Sequence, residues 1–342
     1  MQYSQHTQEE IDFVIIWVDS GDPEWQKCKR RYLHQEDSGQ IDVSEIRYRD
    51  WDNLRYWFRA VETYAPWVRR VHFVTCGHVP EWLDLNVEKL HFVRHDEYIP
   101  PEFLPTFSSH PIELNLHRIE GLSERFVYFC DDFFLGAPVT PSDFFAHGLP
   151  RDYVEEHPFD FSEAELYNSI RVNDVLFASR HFDRRECRKR DWRKWYSLCD
   201  PAGAVNNMIT GLLRNRNFFG LQIHHLPQAY LKQALKEVWD LEPELLRQTC
   251  LHRFRNAEDV SQCVFKFWQL LSGRFVPYNK RKNGRVFRTT EAEVDAIRAA
   301  ILNESYKFIC LNDAERVDLD AVKSAINAAF EQKFPHKSSF EK

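Results

Sequence analysis

FVYFCDDFFLG, residues 126 to 136, decides how this chain is read. Its apolar residues suit a buried strand, yet two adjacent carboxylates, Asp131 and Asp132, stand in the middle of it. A charge hidden in a strand interior costs several kcal/mol unless it is paired. A strand that ends at Cys130 and delivers both acids to a rim avoids that cost. Upstream the same construction recurs. IDFVIIWV (11–18) is β-branched and apolar, and stops at DSGDP, a turn of Asp, Gly and Pro. VRRVHFVTCG and KLHFVRHD read as the second and third strands, and RFVYFC as the fourth. Helices lie between them. One has Asp50 as N-cap and Leu54, Trp57, Phe58 and Val61 on a single face. Another has Ser109 or His110 as cap, Pro111 in its first turn, Ile112, Leu116 and Ile119 inward, and Gly121 as its stop.

Strands alternating with helices predict an α/β fold, with a mostly parallel central sheet and helices on both faces. Ligands of such sheets bind outside the carboxyl ends of the strands. That rule puts Asp19, Thr75, Asp131 and Asp132 on one edge, with Arg49, Asp50 and Asn53 at the start of one adjoining helix and Glu113 at the start of another. Beyond Pro150 the pattern turns helical. Leu231, Leu235 and Val238 share a face, and Thr290 with Glu293 has the form of a capping box before Val294, Ile297 and Ile301. The last helix buries Leu319, Val322, Ile326 and Phe330. Residues 1–150 are therefore expected to form the ligand-binding sheet. Residues 151–342 are expected to be a mainly helical part that closes the cleft, the whole being one integrated catalytic domain.

Composition removes several classes. With 43% hydrophobic residues and a formal charge of only −7, the chain is not disordered. No segment approaches the roughly 20 apolar residues of a membrane span. The start, MQYSQHTQEE, lacks the basic and hydrophobic regions of a leader, so a cytoplasmic location is expected. The cysteines form no CxxC pair, and Cys76, Cys130 and Cys310 lie in apolar runs, which reads as reduced core thiols without a zinc site or disulfide framework. P-loop, GxGxxG and GxSxG motifs are absent.

Local sequence leaves two readings for each candidate. Asp131 and Asp132 cap a turn, or hold a divalent cation that bridges phosphate oxygens. Glu113 complements a helix dipole, or belongs to a site. His224 and His225 are packed at an element boundary, or one is a general base. Arg253 and Arg255 are two residues apart, so only one faces a given cleft. The basic run RHFDRRECRKRDWRK (180–194) suits a phosphate-rich polymer or an anionic membrane surface; an acidic chain without an RNA-binding signature argues against nucleic acid. Together these features describe an α/β enzyme with acids on the sheet edge and His and Arg on helices, suited to a phosphorylated substrate.

Taken in order, the motifs resemble those of the stealth proteins, which include bacterial capsular polysaccharide phosphotransferases and the animal N-acetylglucosamine-1-phosphotransferase. IDFVIIWVDSGDPEW is similar to the first conserved region of that family. RYRDWDNLRYWFRAVETYAPWVRRVHFVTCGHVPEWL and LPTFSSHPIELNLHRIEGLSERFVYFCDDFFLG are similar to the second, and HHLPQAYLKQALKEVW to the third. HRFRNAEDV, KFICLND and FPHKSSFE resemble the family's later segments.

The resemblance implies transfer of hexose-1-phosphate or N-acetylhexosamine-1-phosphate from a UDP-sugar to a hydroxyl of an acceptor oligosaccharide or polysaccharide. UMP would be released, in capsule or cell-surface polysaccharide synthesis. It carries catalytic roles to Glu113, Asp132, His225 and Arg255. His225 is the expected base, with Asp132 as its competitor. Arg255 and a Mg²⁺ or Mn²⁺ ion at Asp131 and Asp132 would stabilise phosphoryl charge, and Glu113 would orient the acceptor or the metal. Substrate binding is expected of Trp17, Asp19, Arg49, Asn53, Arg55, Thr75 and His117. The family's HxHRI is NLHRI here, with Asn115 at the first histidine, and DSGDP moves the glycine of the usual DGxDP. The basic 180–194 run is expected to meet the membrane or capsule-assembly machinery. A metal-dependent glycosyltransferase releasing UDP and a non-catalytic glycan-binding protein are the competing readings.

Overall fold

The computed structural model describes residues 10–34, 41–42, 44, 48–159, 165–314 and 317–342; residues 1–9, where a leader would begin, lie outside these. The first half contributes strands β1 (Ile11–Ile16), β2 (Val71–Thr75), β3 (Leu90–Arg94), β4 (Arg125–Phe129) and the short β5 (Phe133–Leu135). From the second half come β6 (Gln228–Leu231), β7 (Gly284–Arg288) and β8 (Phe308–Asn312). The central sheet has the order β3-β2-β1-β4-β6, with the first four parallel and β6 antiparallel to β4. The chain steps outward from β1 to β3, then returns to the far side of β1 as β4. The reversal falls between the carboxyl ends of β1 and β4, where a doubly covered sheet opens its ligand crevice.

All six residues of β1 are buried, as a strand covered on both faces requires. On one face Phe13, Ile15, Phe73 and Phe129 pack with Trp57, Phe58 and Val61 of the helix Leu54–Tyr64. On the other, Val14, Ile16, Val74 and Tyr128 meet Leu114, Leu116, Leu235 and Phe265. Each such aliphatic or Phe side chain contributes about 1.5–3 kcal/mol through burial. The exception in β1 is Asp12, fully buried and fully engaged. Arg69 donates to it through Nε at 2.8 Å, His72 lies 3.0 Å from Oδ2, and the Ser123 amide donates at 2.8 Å. Burial pushes this carboxyl up, but the bonds from His72, Arg69 and Ser123 outweigh it and hold it below the usual range.

The second half is less helical than its sequence pattern suggests. It supplies β6 to the central sheet, and a second sheet in which β8 lies parallel to β7 and antiparallel to β5. Cys310 pairs with Phe133, and the Leu311 amide donates to the Asp132 carbonyl at 2.9 Å. Gly136 permits this crossing, since a Cβ there would meet the Tyr306 carbonyl at 2.5 Å. Residue 150 is thus no seam. The segment after the last helix also returns to the first half: Arg59 pairs with Glu341 at 2.8 Å and donates to the Phe334 carbonyl at 2.6 Å.

Three caps differ from the sequence reading. Helix Leu54–Tyr64 starts from Asn53, while Asp50 accepts the amide of Asp52, a residue at φ 52°. Ser108, one residue earlier than expected, caps Ser109–Leu114 through the His110 amide, and the segment continues as a separate 3-10 turn, Leu116–Arg118. Glu293, without a side-chain capping bond, precedes Val294–Leu302, so the Thr290 box does not form.

The basic 180–194 run also departs from expectation, because part of it is internal. Arg184 and Arg188 are buried around Glu156, which has no exposed surface, at 2.7 and 2.5 Å. A second buried acid, Asp174, pairs with no cation among the described residues: it accepts from the Ser261 amide and hydroxyl at 2.8 and 2.6 Å. Burial, with Glu113 and Asp259 nearby, lifts it to about 8. Replacing Glu156 by Ala should strand two buried guanidinium groups and cost about 3–5 kcal/mol, read as a lower urea midpoint. Asp174 binds its proton more tightly folded than unfolded, so it subtracts stability as pH rises from about 4 to about 8. Asp174→Asn should therefore flatten the decline in urea midpoint between pH 6 and pH 9, measured on both proteins.

Candidate active site

Strand direction assembles the site. Because β6 is antiparallel, its first residue, Gln228, lies opposite Tyr128 at the carboxyl end of β4. The lead-in through His224 and His225 consequently arrives where β4 releases Asp131 and Asp132. His225 Nδ1 lies 3.7 Å from Asp132 Oδ2, with the imidazole about half exposed. Cys310, from β8, bridges the two: its Sγ donates to Asp132 Oδ2 at 3.3 Å and lies 3.3 Å from His225 Nδ1. The Phe133 ring meets the imidazole edge to face at 4.7 Å and fixes its plane. With Nδ1 held by this group, Nε2 is on the opposite side of the ring.

Asp132 Oδ1 is buried and has no hydrogen-bond partner among the described residues. Water reaches Asp131, yet the protein crowded around it, then Asp132 and Asp50, lift its carboxyl to about 7. Asp50 is itself raised, by burial and then by Asp52 and Asp19. The edge is therefore a concentration of uncompensated negative charge, which suits a hard divalent cation with oxygen ligands at Asp131 and Asp132. Donor atoms of Cys130, Asp132 and His225 also lie within 4.8 Å of one another. Burial and Asp132 keep Cys130 well above its usual range, so it stays a thiol and makes a poor ligand.

Glu113 is buried and accepts from the Tyr128 hydroxyl at 2.7 Å; Cys130 in turn donates to that hydroxyl at 3.4 Å. This relay links Glu113 to the acidic edge. Arg255 donates to Ser109 Oγ at 3.1 Å, at the start of the helix that carries Glu113. Arg253 diverges, bonding the Pro105 carbonyl at 2.7 Å and lying over the Tyr32 ring. The structure thus brings Asp132 with His225, and Arg255 with the Glu113 helix.

The substrate-binding candidates separate. Trp17, just past β1, stacks on Phe73 at 6.0 Å, and the Asp19 amide donates to His78 Nδ1 at 2.9 Å, so both stand at the sheet edge. Arg55, half-buried, lies over Trp82. Asn53 is buried at its helix start. Thr75, the last residue of β2, braces the turn that follows: its buried hydroxyl donates to the His78 carbonyl at 2.9 Å and accepts from the Gly77 amide. Arg49 is committed to Asp313 at 2.8 Å. His117 packs against Trp239 at 6.0 Å, and burial with Arg118 beside it pushes it down to about 3, so it is neutral. His224 joins Glu155 and Asp200, where Arg281 holds both Asp200 oxygens at 2.9 Å and bonds Glu155, filling the place a cation would take.

Sequence reasoning missed two groups. Cys310 sits in an apolar strand that gives no sign of its acidic partner. Asp259, fully buried, spans His110 at 3.0 Å and His252 at 2.6 Å; it closes the HRFRNAED segment, whose arginines are the more conspicuous residues.

Comparison with known proteins covers part of this site by family model, including Glu113, Asp131, Asp132 and Cys310. Stealth protein conserved region 2 matches residues 47–152, and conserved region 4 matches residues 299–342. A capsular polysaccharide phosphotransferase, WcwK, of Streptococcus pneumoniae is 38% identical over 98% of this chain and 98% of its own. A receptor polysaccharide phosphotransferase, WefC, of Streptococcus oralis is 40% identical over 97% and 99%. The exopolysaccharide phosphotransferase cps2G of Lactiplantibacillus plantarum is 33% identical over 97% and 96%. Among solved structures, a galactosyltransferase, LgtC, in complex with donor and acceptor sugar analogues covers 93% of this chain and 95% of its own. Its identity of 10% and TM-score of 0.34 are too low to bear on the chemistry. The full-length relatives and the two conserved regions, one of which carries the Asp131–Asp132 edge, establish that the chain belongs to the stealth family.

Proposed function

We propose that the protein transfers a sugar 1-phosphate, hexose or N-acetylhexosamine, from a UDP-sugar to a hydroxyl of an acceptor glycan, in the synthesis of a capsular or other cell-surface polysaccharide. The relatives named as capsular, receptor and exopolysaccharide phosphotransferases support the reaction class. The observation that carries it is the meeting of Asp132 and His225 around Cys310, on the sheet edge where ligands bind.

In this reading the acceptor oxygen attacks the phosphorus that bears the sugar. The bond from that phosphorus to the bridging oxygen breaks, and UMP leaves with the bridging oxygen. The hydroxyl proton passes to His225 Nε2, while Asp132, on the Nδ1 side, orients the ring and stabilises the imidazolium that forms. Phosphoryl charge faces Arg255, and Glu113, held by Tyr128, orients the acceptor. A magnesium or manganese ion held by Asp131 and Asp132 would neutralise diphosphate charge. Trp17 and Asp19, at the end of β1, take the nucleotide.

His225→Ala should lower turnover by at least about two orders of magnitude, and Asp132→Ala should abolish it. Both are measured with UDP-sugars and acceptor oligosaccharides by identifying the nucleotide released. UMP is the expected product; UDP alone would point to glycosyl transfer and overturn the reading, and near-normal turnover in His225→Ala would remove that residue as the base.

A further inference from the structure

The helix Pro201–Gly211 contains no charged residue. Val205, Met208, Ile209 and Leu212 stand at the i, i+3, i+4, i+7 spacing of one face, and they are 52%, 60%, 60% and 82% exposed. A surface helix facing only water would carry charge there. Leu213, half exposed, and Leu198, 81% exposed, extend the apolar area at either end.

Basic side chains adjoin this face. Arg184 donates to the Leu213 carbonyl at 3.0 Å and Arg185 to the Arg214 carbonyl at 2.5 Å, so the helix Arg184–Arg190 is tied to the end of the apolar one. While Arg184 and Arg188 turn inward to Glu156, Arg185 and Lys189 are exposed, as are Arg214 and Arg216. Of the acids on these two helices and their caps, Glu186 is exposed, while Asp183 pairs with Arg216 at 2.8 Å, Asp191 with Arg190 at 2.6 Å and Asp200 with Arg281 at 2.9 Å.

We infer that this face docks on a bilayer surface that carries anionic lipid headgroups. The uncharged side chains enter the headgroup and acyl boundary, and Arg185, Lys189 and Arg214 meet the headgroup charge. Positive charge around an apolar face is what distinguishes this occupant from a second copy of an acidic chain. The opposite end of the helix is anchored in the protein, since its N-cap, Asp200, is buried and held by Arg281 at 2.9 Å.

Cosedimentation of the full chain with vesicles tests this independently of the chemistry proposed above. Phosphatidylglycerol-containing vesicles should capture the protein at low salt, pure phosphatidylcholine much less, and added salt should weaken capture. Ile209→Glu with Leu212→Glu, and separately Arg185→Glu with Arg214→Glu, should each reduce partitioning at least about tenfold, with far-UV circular dichroism and thermal midpoint unchanged. No capture by anionic vesicles, or equal capture of the wild type and both variants, overturns the inference. So does a solution dimer that the Ile209→Glu, Leu212→Glu pair dissociates, since a second copy would then be the occupant.

Discussion

β1 can serve as the central strand only because the charge it carries is met inside the protein. Asp12 has no exposed surface, and its partners come from the entrance to β2, from β2 itself and from the entrance to β4. One carboxylate therefore joins three parallel strands at their amino ends. At the opposite ends of the same strands the acids are treated differently. Asp132 keeps one oxygen without a hydrogen bond among the described residues, and the protein crowded around Asp131, then Asp132 and Asp50, lift the Asp131 carboxyl. Neutralising one end of the sheet while leaving the other charged is how a single layer acts as both foundation and ligand edge.

The parts of this arrangement that were legible in the sequence are those set by neighbours along the chain. Apolar runs gave β1 to β4, and the Asp pair could not be placed inside a strand without a cost that the local sequence did not offset. Spacing alone left Asp131 and Asp132 between a turn and a site. Resemblance to known motifs favoured the site, and it also brought forward His225, whose approach depends on the direction of β6 and so on a pairing about a hundred residues away.

What escaped the reading was set by partners distant in sequence. Arg184 and Arg188 looked like surface charge because nothing near them announces Glu156. Arg49 looked available because Asp313 lies far along the chain. Cys310 looked like core, which by burial it is, yet its thiol lies between Asp132 and His225. One cap moved by a residue where adjacent serines offered equivalent oxygens, at Ser108 and Ser109, and two moved by three residues, to Asn53 and Glu293. Buried polar groups hide their roles in sequence because the group that satisfies each one is chosen by the tertiary fold.

The pairing of β5 with β8 bears on how the protein comes into being during synthesis. Asp132 emerges from the ribosome well before Cys310 and Leu311, the residues that later brace it, and Arg59 waits longer still for Glu341. Strands β1 to β4 can pair while translation continues, but the acidic edge is not braced until β8 has been made. A chain that ends short of β8 lacks both the thiol and the amide that brace Asp132, so this edge takes its final form only near the end of synthesis.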